Sequence, residues 1–375
     1  MKINQSKFIL YFLIFTLLIF ILNIVFYMYS MYIGLDGFDV NMFGGGSDGS
    51  FYAQEAINFA ESNPYIYTSI HIPILGSILK VFGTENLFIL KLFNQIGNIL
   101  LLVVTIYLSI LIMGKINYKK MFFVILINLI YPSLLILSTI SIYRDSWILF
   151  YYILALCFLI QYIKNGSNVF NFLFLVTLIP LFLYREYAII PLIIIYILYH
   201  LMKFINLKIL LLILFICMNI TLIFFRDFEF PVINMSLADA LSFREQGVEM
   251  MDGGSQLNIN LETTNIFNFY ANYFYSFIST VFGPFIWQAN SISMLMLMVV
   301  ESIPFLFITY FLLRKIKTMS TSELVIIIAS LILFLEVSLI NDNLGTATRV
   351  RILGWLPLIV LTISKIGEKK NENSF

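Results

Sequence analysis

The chain has 375 residues and a mass of 43.5 kDa, is 61% hydrophobic, and carries only 11% charged residues. Soluble domains carry about 25% charge, so an ordinary water-soluble enzyme is excluded. Disordered, collagen-like and disulfide-built chains are excluded too, because the sequence is apolar and aromatic-rich and has two cysteines.

A helix that crosses a bilayer needs roughly 20 mostly apolar residues. Segments 8–30, 88–113, 121–142, 147–163, 169–184, 187–202, 208–225, 291–313, 322–340 and 352–367 meet or approach that length. They predict an all-α, polytopic transmembrane bundle of about ten spans, with residues 1–375 forming one integral membrane domain. The first span exceeds the usual signal-peptide core of about 7–15 residues and precedes no small-x-small cleavage site, so it reads as a retained anchor. Cys157 and Cys217 both fall inside spans and read as packing residues.

Two long outer loops are expected, at 31–87 and 226–290. The first opens with glycines at 44–46 and continues into a short amphipathic helix over 50–62 that suits a membrane surface. A second short helix is expected over 70–83, broken near Pro73 and Gly76. The later loop carries Arg226, Asp227, Glu229, Arg244, Glu245, Glu249, Asp252 and Glu262. Its segment 264–282 reads as an interfacial or re-entrant helix ending at Gly283-Pro284. Compact turns join other spans at Tyr143-Arg144-Asp145, at Tyr184-Arg185-Glu186 and across 341–351.

Short loops rich in lysine and arginine mark the cytoplasmic side. Fourteen of the 22 basic residues fall in loops that alternate onto one face, with both termini inside, and thirteen of those fourteen are lysine. Of the eight remaining, Lys80, Lys91, Arg144, Arg185, Arg226, Arg244, Arg349 and Arg351, six are arginine. Membrane orientation requires only positive charge, whereas a guanidinium also holds phosphate or carboxylate through two parallel hydrogen bonds. The segregation therefore points to an anion-binding outer face. The competing reading pairs these arginines with outer carboxylates, such as Asp145 and Glu186 beside their neighbours.

Asp48, in a glycine-rich turn at the start of a surface helix, is the first candidate for chemistry, as a proton acceptor or a metal-binding group. Tyr52 at i+4 shares its helical face. The plainer reading of Asp48 is a helix cap. Arg144, Arg185, Arg349 and Arg351 adjoin span ends, where they can hold an anionic headgroup. Arg349 and Arg351 share one side of an extended segment but lie about 200° apart if the segment is helical. Glu301 falls inside the eighth span, where a carboxylate either serves function or is a satisfied structural group. His71 and His200 are too far apart in topology to form a metal pair.

The run Asp48-Gly49-Ser50-Phe51-Tyr52-Ala53-Gln54-Glu55-Ala56 fits D-x-x-x-Y-A-x-x-A after a first span. Together with Pro73 to Gly76, Val81-Phe82-Gly83, Pro132 and Arg144-Asp145, it resembles the first external loop and following spans of the GT-C superfamily of membrane glycosyltransferases. Protein O-mannosyltransferases and bacterial aminoarabinose transferases belong to that class, and the likeness covers roughly the first 165 residues. The resemblance implies a catalytic Asp48 and a sugar donor on an undecaprenyl-type polyprenyl phosphate or diphosphate. It also implies a saccharide or lipid-linked acceptor, and a place in cell-envelope or surface-polysaccharide synthesis at the outer face of a bacterial inner membrane. Tyr52 and Asp145 become supporting residues, and Arg144, Arg185, Arg349 and Arg351 donor-phosphate ligands. Many relatives place a second acid beside the loop aspartate, where this chain has Gly49. That departure weakens a metal role for Asp48 and leaves a divalent cation open as cofactor. No nucleic acid is expected as a partner.

Two other functions fit the same layout. An O-antigen or capsule-type polymerase or ligase would rely on Arg226 and Arg244 in the large loop rather than on Arg144. A flippase or transporter of lipid-linked saccharides would use charges near the midplane, such as Glu301.

Overall fold

The computed structural model describes residues 3–39, 48–84, 86–202, 204–205, 209, 227–229, 236–239, 241–242, 244, 256–261 and 265–367. The described residues are helical, and only an isolated bridge joins Gln256 to Asn343. Among the described residues, five helical stretches are long and apolar enough to cross a membrane: α1 (Gln5–Tyr32), α4 (Phe88–Met113), α7 (Asp145–Asn165), the run Ile292–Thr318 and α13 (Thr321–Ile340). The run Ile292–Thr318 comprises α11 (Ile292–Leu297), a π-helical turn (Met298–Ser302) and α12 (Ile303–Lys315), and closes on a 3₁₀ turn. Two bent pairs, α5 (Tyr118–Ile130) with α6 (Pro132–Thr139) and α14 (Leu344–Val350) with α15 (Ile352–Lys365), raise the number to seven if each counts as one span. Shorter apolar helices include α8 (Asn168–Tyr184) and Glu186–Leu201, whose α-helical part is α9 (Ile190–Leu201). At 1.5 Å per residue such helices fall short of a hydrocarbon core of about 30 Å. Apart from Ile209, the expected span 208–225 lies outside the described residues, as do residues 43–47 and Arg226.

Helix ends follow local sequence chemistry. Asn4, Asn117, Asn265 and Asn343 accept main-chain N–H groups at the starts of α1, α5, α10 (Ile266–Phe282) and α14. Gly114 and Gly166 end α4 and α7 in the left-handed conformation. Between the first two spans lie α2 (Asp48–Ala60) and α3 (His71–Phe82), which pack closely on each other. The expected break near Pro73 and Gly76 is absent. Pro73 sits in the first turn of α3, where a missing N–H costs little, and Gly76 makes room for α2. A Cβ at Gly76 would stand 2.5 Å from the Phe59 ring and 2.8 Å from the Ala56 carbonyl oxygen.

The span expected over 121–142 bends by 72° at Pro132, because proline cannot donate to the carbonyl four residues back. The eight-residue helix α6 is thus buried with its ends exposed to an apolar interior, where unpaired backbone groups are costly. Side chains of matching charge satisfy both ends. At the start, Glu301 Oε1 accepts from the Ser133 N–H at 2.8 Å and from its hydroxyl at 2.6 Å. At the other end, Lys91 Nζ donates to the carbonyls of Thr139 (3.3 Å) and Ile140 (2.8 Å). Asn23 and Asn98 donate to the Ser138 carbonyl. Helix α6 then delivers the chain to Tyr143-Arg144-Asp145 and into α7, which packs against both α4 and α8.

Candidate functional site

Four segments meet here: the starts of α2 and α7, the end of α14, and the Arg185 turn that follows α8. Asp48 opens α2, and Gly49 behind it has no space for a side chain: a Cβ would lie 1.9 Å from Ser141 Oγ and 2.7 Å from the Phe38 carbonyl oxygen. A second acid directly beside Asp48 is therefore sterically excluded at this position. A second carboxylate arrives instead from α7. Arg349, on α14, donates through Nη1 to Asp48 Oδ2 at 2.7 Å and through Nη2 to Asp145 Oδ2 at 2.9 Å. Its guanidinium also lies over the Tyr143 ring, 4.3 Å from the centroid. Asp48 remains 46% exposed at the side chain, Arg349 24% and Asp145 12%. The triad is anchored on its inner side and open at Asp48.

Arg144 and Arg185 lie within electrostatic reach of Asp145 in this triad. Arg144 donates to the Thr68 carbonyl at 2.9 Å and lies 6.0 Å from the centroid of the Tyr52 ring. Its Nε is buried without a protein partner. Arg185 lies over Tyr187, 4.8 Å from the ring centroid. Burial, reinforced by the like charge of Arg185, lowers the Arg144 guanidinium below its ordinary value. Burial pushes the Tyr52 hydroxyl up, and that of Tyr143 up to about 12, so both remain neutral hydrogen-bonding groups. The neighbour pairs Arg144–Asp145 and Arg185–Glu186 do not form among the described residues, and Glu186 is exposed. Two guanidinium groups without a salt-bridged carboxylate among the described residues thus accompany one pair of carboxylates held by a third.

Comparison with protein families, curated proteins and solved structures gives no match for this chain.

Other candidates lie elsewhere. Arg351 is not part of the cluster. Helix α14, capped by Asn343 on Gly345 N–H and Thr346 N–H, turns residues two apart to nearly opposite sides. Arg351 is fully buried and donates to Glu301 Oε2 at 2.8 Å and to the Gly283 and Thr280 carbonyls, so it has no access to a headgroup. Glu301 is correspondingly committed to Arg351 and Ser133, and is the satisfied structural carboxylate rather than an open intramembrane acid. Arg244 is buried against Asp342, with further bonds to the carbonyls of Asn341 (2.6 Å), Ser338 (3.0 Å) and Ile259 (3.3 Å). A cation at the C-terminal end of α13 complements the helix dipole there. Among the described residues no three His, Cys, Asp or Glu side chains gather as metal ligands. The guanidinium of Arg349 bridges the two carboxylates in the way a divalent cation would.

Several contributors escaped the sequence reading. Asp39 accepts from the Ser50 hydroxyl beside Asp48, and burial raises its carboxyl above the usual range. His71 lies under Tyr52, 5.5 Å between ring centroids, and its Nε2 bonds the Ile142 carbonyl at 2.9 Å. Tyr143 was visible only as the neighbour of Arg144. An apolar groove of about 540 Å³ runs along α3 from Ile70 past Ile74, Ile78 and Val81, and includes Phe93 of α4. Ile70 is two residues from the Thr68 carbonyl that holds Arg144.

Proposed function

We propose that the chain is a membrane glycosyltransferase that moves a sugar from a polyprenyl-phosphate-linked donor to a saccharide or lipid-linked acceptor, in cell-envelope or surface-polysaccharide synthesis. One observation carries this reading: an accessible carboxylate, Asp48, is fixed by Arg349 beside Arg144 and Arg185, whose guanidinium groups have no salt-bridged carboxylate among the described residues. The apolar groove along α3 suits an isoprenoid chain whose phosphate lies at the arginines. In the reaction the acceptor hydroxyl oxygen bonds to the anomeric carbon, the bond from that carbon to the phosphate oxygen breaks, and Asp48 takes the hydroxyl proton. The leaving lipid phosphate gains a negative charge, which Arg144 and Arg185 stabilise in a poorly solvated setting. A layout of about ten spans, with termini and lysine-rich loops cytoplasmic and the Asp48 cluster on the outer face of a bacterial plasma membrane, accompanies this proposal.

The capsule-type polymerase or ligase reading draws on Arg244, whose guanidinium is spent on Asp342 and three carbonyls. The flippase reading draws on Glu301, which is spent on Arg351 and Ser133. Reconstituted protein supplied with a polyprenyl-phosphate-linked sugar tests the transferase reading. Wild type should form a glycosidic bond and Asp48→Asn should lose about 10²–10⁴-fold in rate. Full transfer by a folded Asp48→Asn variant would remove Asp48 from the chemistry.

A further inference from the structure

We infer that one ordered water molecule is bound inside the bundle at the α5–α6 break, donating a hydrogen bond to Asn98 Oδ1. A cavity of about 10 Å³ lies there among Ile19, Gln95, Asn98, Asn128, Leu134 and Ser138. That is the room of one water molecule, and the lining offers the several polar groups a buried water requires. Asn98 is more than nine-tenths buried. Its Nδ2 donates to the Ser138 carbonyl at 2.8 Å, while its Oδ1 is buried with no protein donor. An aliphatic lipid chain cannot supply that donor; a water can.

The break itself removes a helical donor beside the cavity. Pro132 has no N–H to offer the Asn128 carbonyl, and the next N–H, on Ser133, goes to Glu301 rather than back along α5. Asn128, at the end of α5, lines the same cavity. In a bilayer interior, ordered water is one of the few means of satisfying backbone groups freed by a proline. The bound water therefore donates one hydrogen to Asn98, with its second available to Asn128, and completes the seating of the half-helix that leads to Tyr143 and Asp145. It belongs to the scaffold and is independent of the proposed transferase activity.

An experimental structure of the full chain in lipid, at a resolution that shows ordered water, is the direct test. A single density peak within hydrogen-bonding distance of Asn98 Oδ1 is expected; an empty cavity or continuous lipid density overturns the inference. Thermal unfolding of two variants gives an independent reading. Asn128→Leu fills the cavity and expels the water but leaves the Asn98–Ser138 bond, whereas Asn128→Ala leaves the water its room. The unfolding midpoint should fall further for Asn128→Leu than for Asn128→Ala. The reverse order, which filling a dry void would give, contradicts a bound water.

Discussion

Arg349 and Asp48 stand 301 positions apart in the chain and meet at 2.7 Å, with the second amino group of Arg349 on Asp145 at 2.9 Å. Removing Arg349 therefore frees two carboxylates at once. Arg349→Lys retains the charge but not the planar fork that spans both acids, so its transfer rate should fall nearly as far as that of Arg349→Ala. Because the residues act as a unit, the double variant Asp48→Asn/Arg349→Ala should lose less than the sum of the single losses, with a coupling of about 0.5–3 kcal/mol. Strict additivity in a double-mutant cycle would mean that the ion pair is incidental to transfer.

The pair Arg351–Glu301 predicts a stability effect rather than a catalytic one. Both side chains are essentially inaccessible, at 0% and 1% exposure. Glu301→Leu strands a buried guanidinium and leaves the Ser133 N–H without its acceptor, at a cost of about 3–5 kcal/mol. Glu301→Gln, which retains an acceptor oxygen, should lose less. Thermal unfolding in detergent orders the two, and equal midpoints would show that the charge contributes little.

Gly49 should tolerate no side chain. Gly49→Ala places a methyl group against Ser141 Oγ and the Phe38 carbonyl, an overpacking expected to cost about 1–3 kcal/mol. Adding Ser141→Gly relieves only the first clash and should restore stability in part. Unaltered stability in Gly49→Ala would require the start of α2 to be more open than its packing indicates.

His71 gives stability a pH dependence of defined sign. Burial lowers its pKa to about 4, against about 6.5 in an unfolded chain. Between these values the unfolded state binds the proton more readily. The contribution is therefore present above about pH 6.5 and lost as pH falls towards 4, amounting to about 3 kcal/mol at 1.36 kcal/mol per unit. The difference in stability between wild type and His71→Gln should narrow or invert across that interval; a constant difference would mean that His71 does not titrate as a buried imidazole.

The sequence made parts of this arrangement legible and concealed others for physical reasons. Apolar length revealed the long spans, because burial against lipid or core requires uninterrupted apolar residues, while amphipathic spacing near 50–62 and the apolar stretches near 70–83 and 264–282 coincide with α2, α3 and α10. The segregation of arginine singled out Arg144, Arg185 and Arg349; the fold sets Arg349 on both Asp48 and Asp145 and brings Arg144 and Arg185 within electrostatic reach of Asp145. Arg351 carried the same signal and faces inward, because Gly345-Thr346 suggested a turn while Asn343 caps a helix that rotates the two arginines apart. The commitments of Arg244 to Asp342 and of Glu301 to Ser133, across 98 and 168 positions, depend on tertiary approach that spacing does not encode. Pro132 announced the break in α5–α6 only weakly, since prolines inside spans are tolerated where other groups satisfy the freed backbone.

A structure of the protein with a polyprenyl phosphate bound in a lipid bilayer tests the central claim most directly. The phosphate is predicted within hydrogen-bonding distance of both Arg144 and Arg185, with Asp48 facing it and the isoprenoid chain along α3. A lipid phosphate seated at the lysine-rich ends of α7 and α15, away from Asp48, would contradict it.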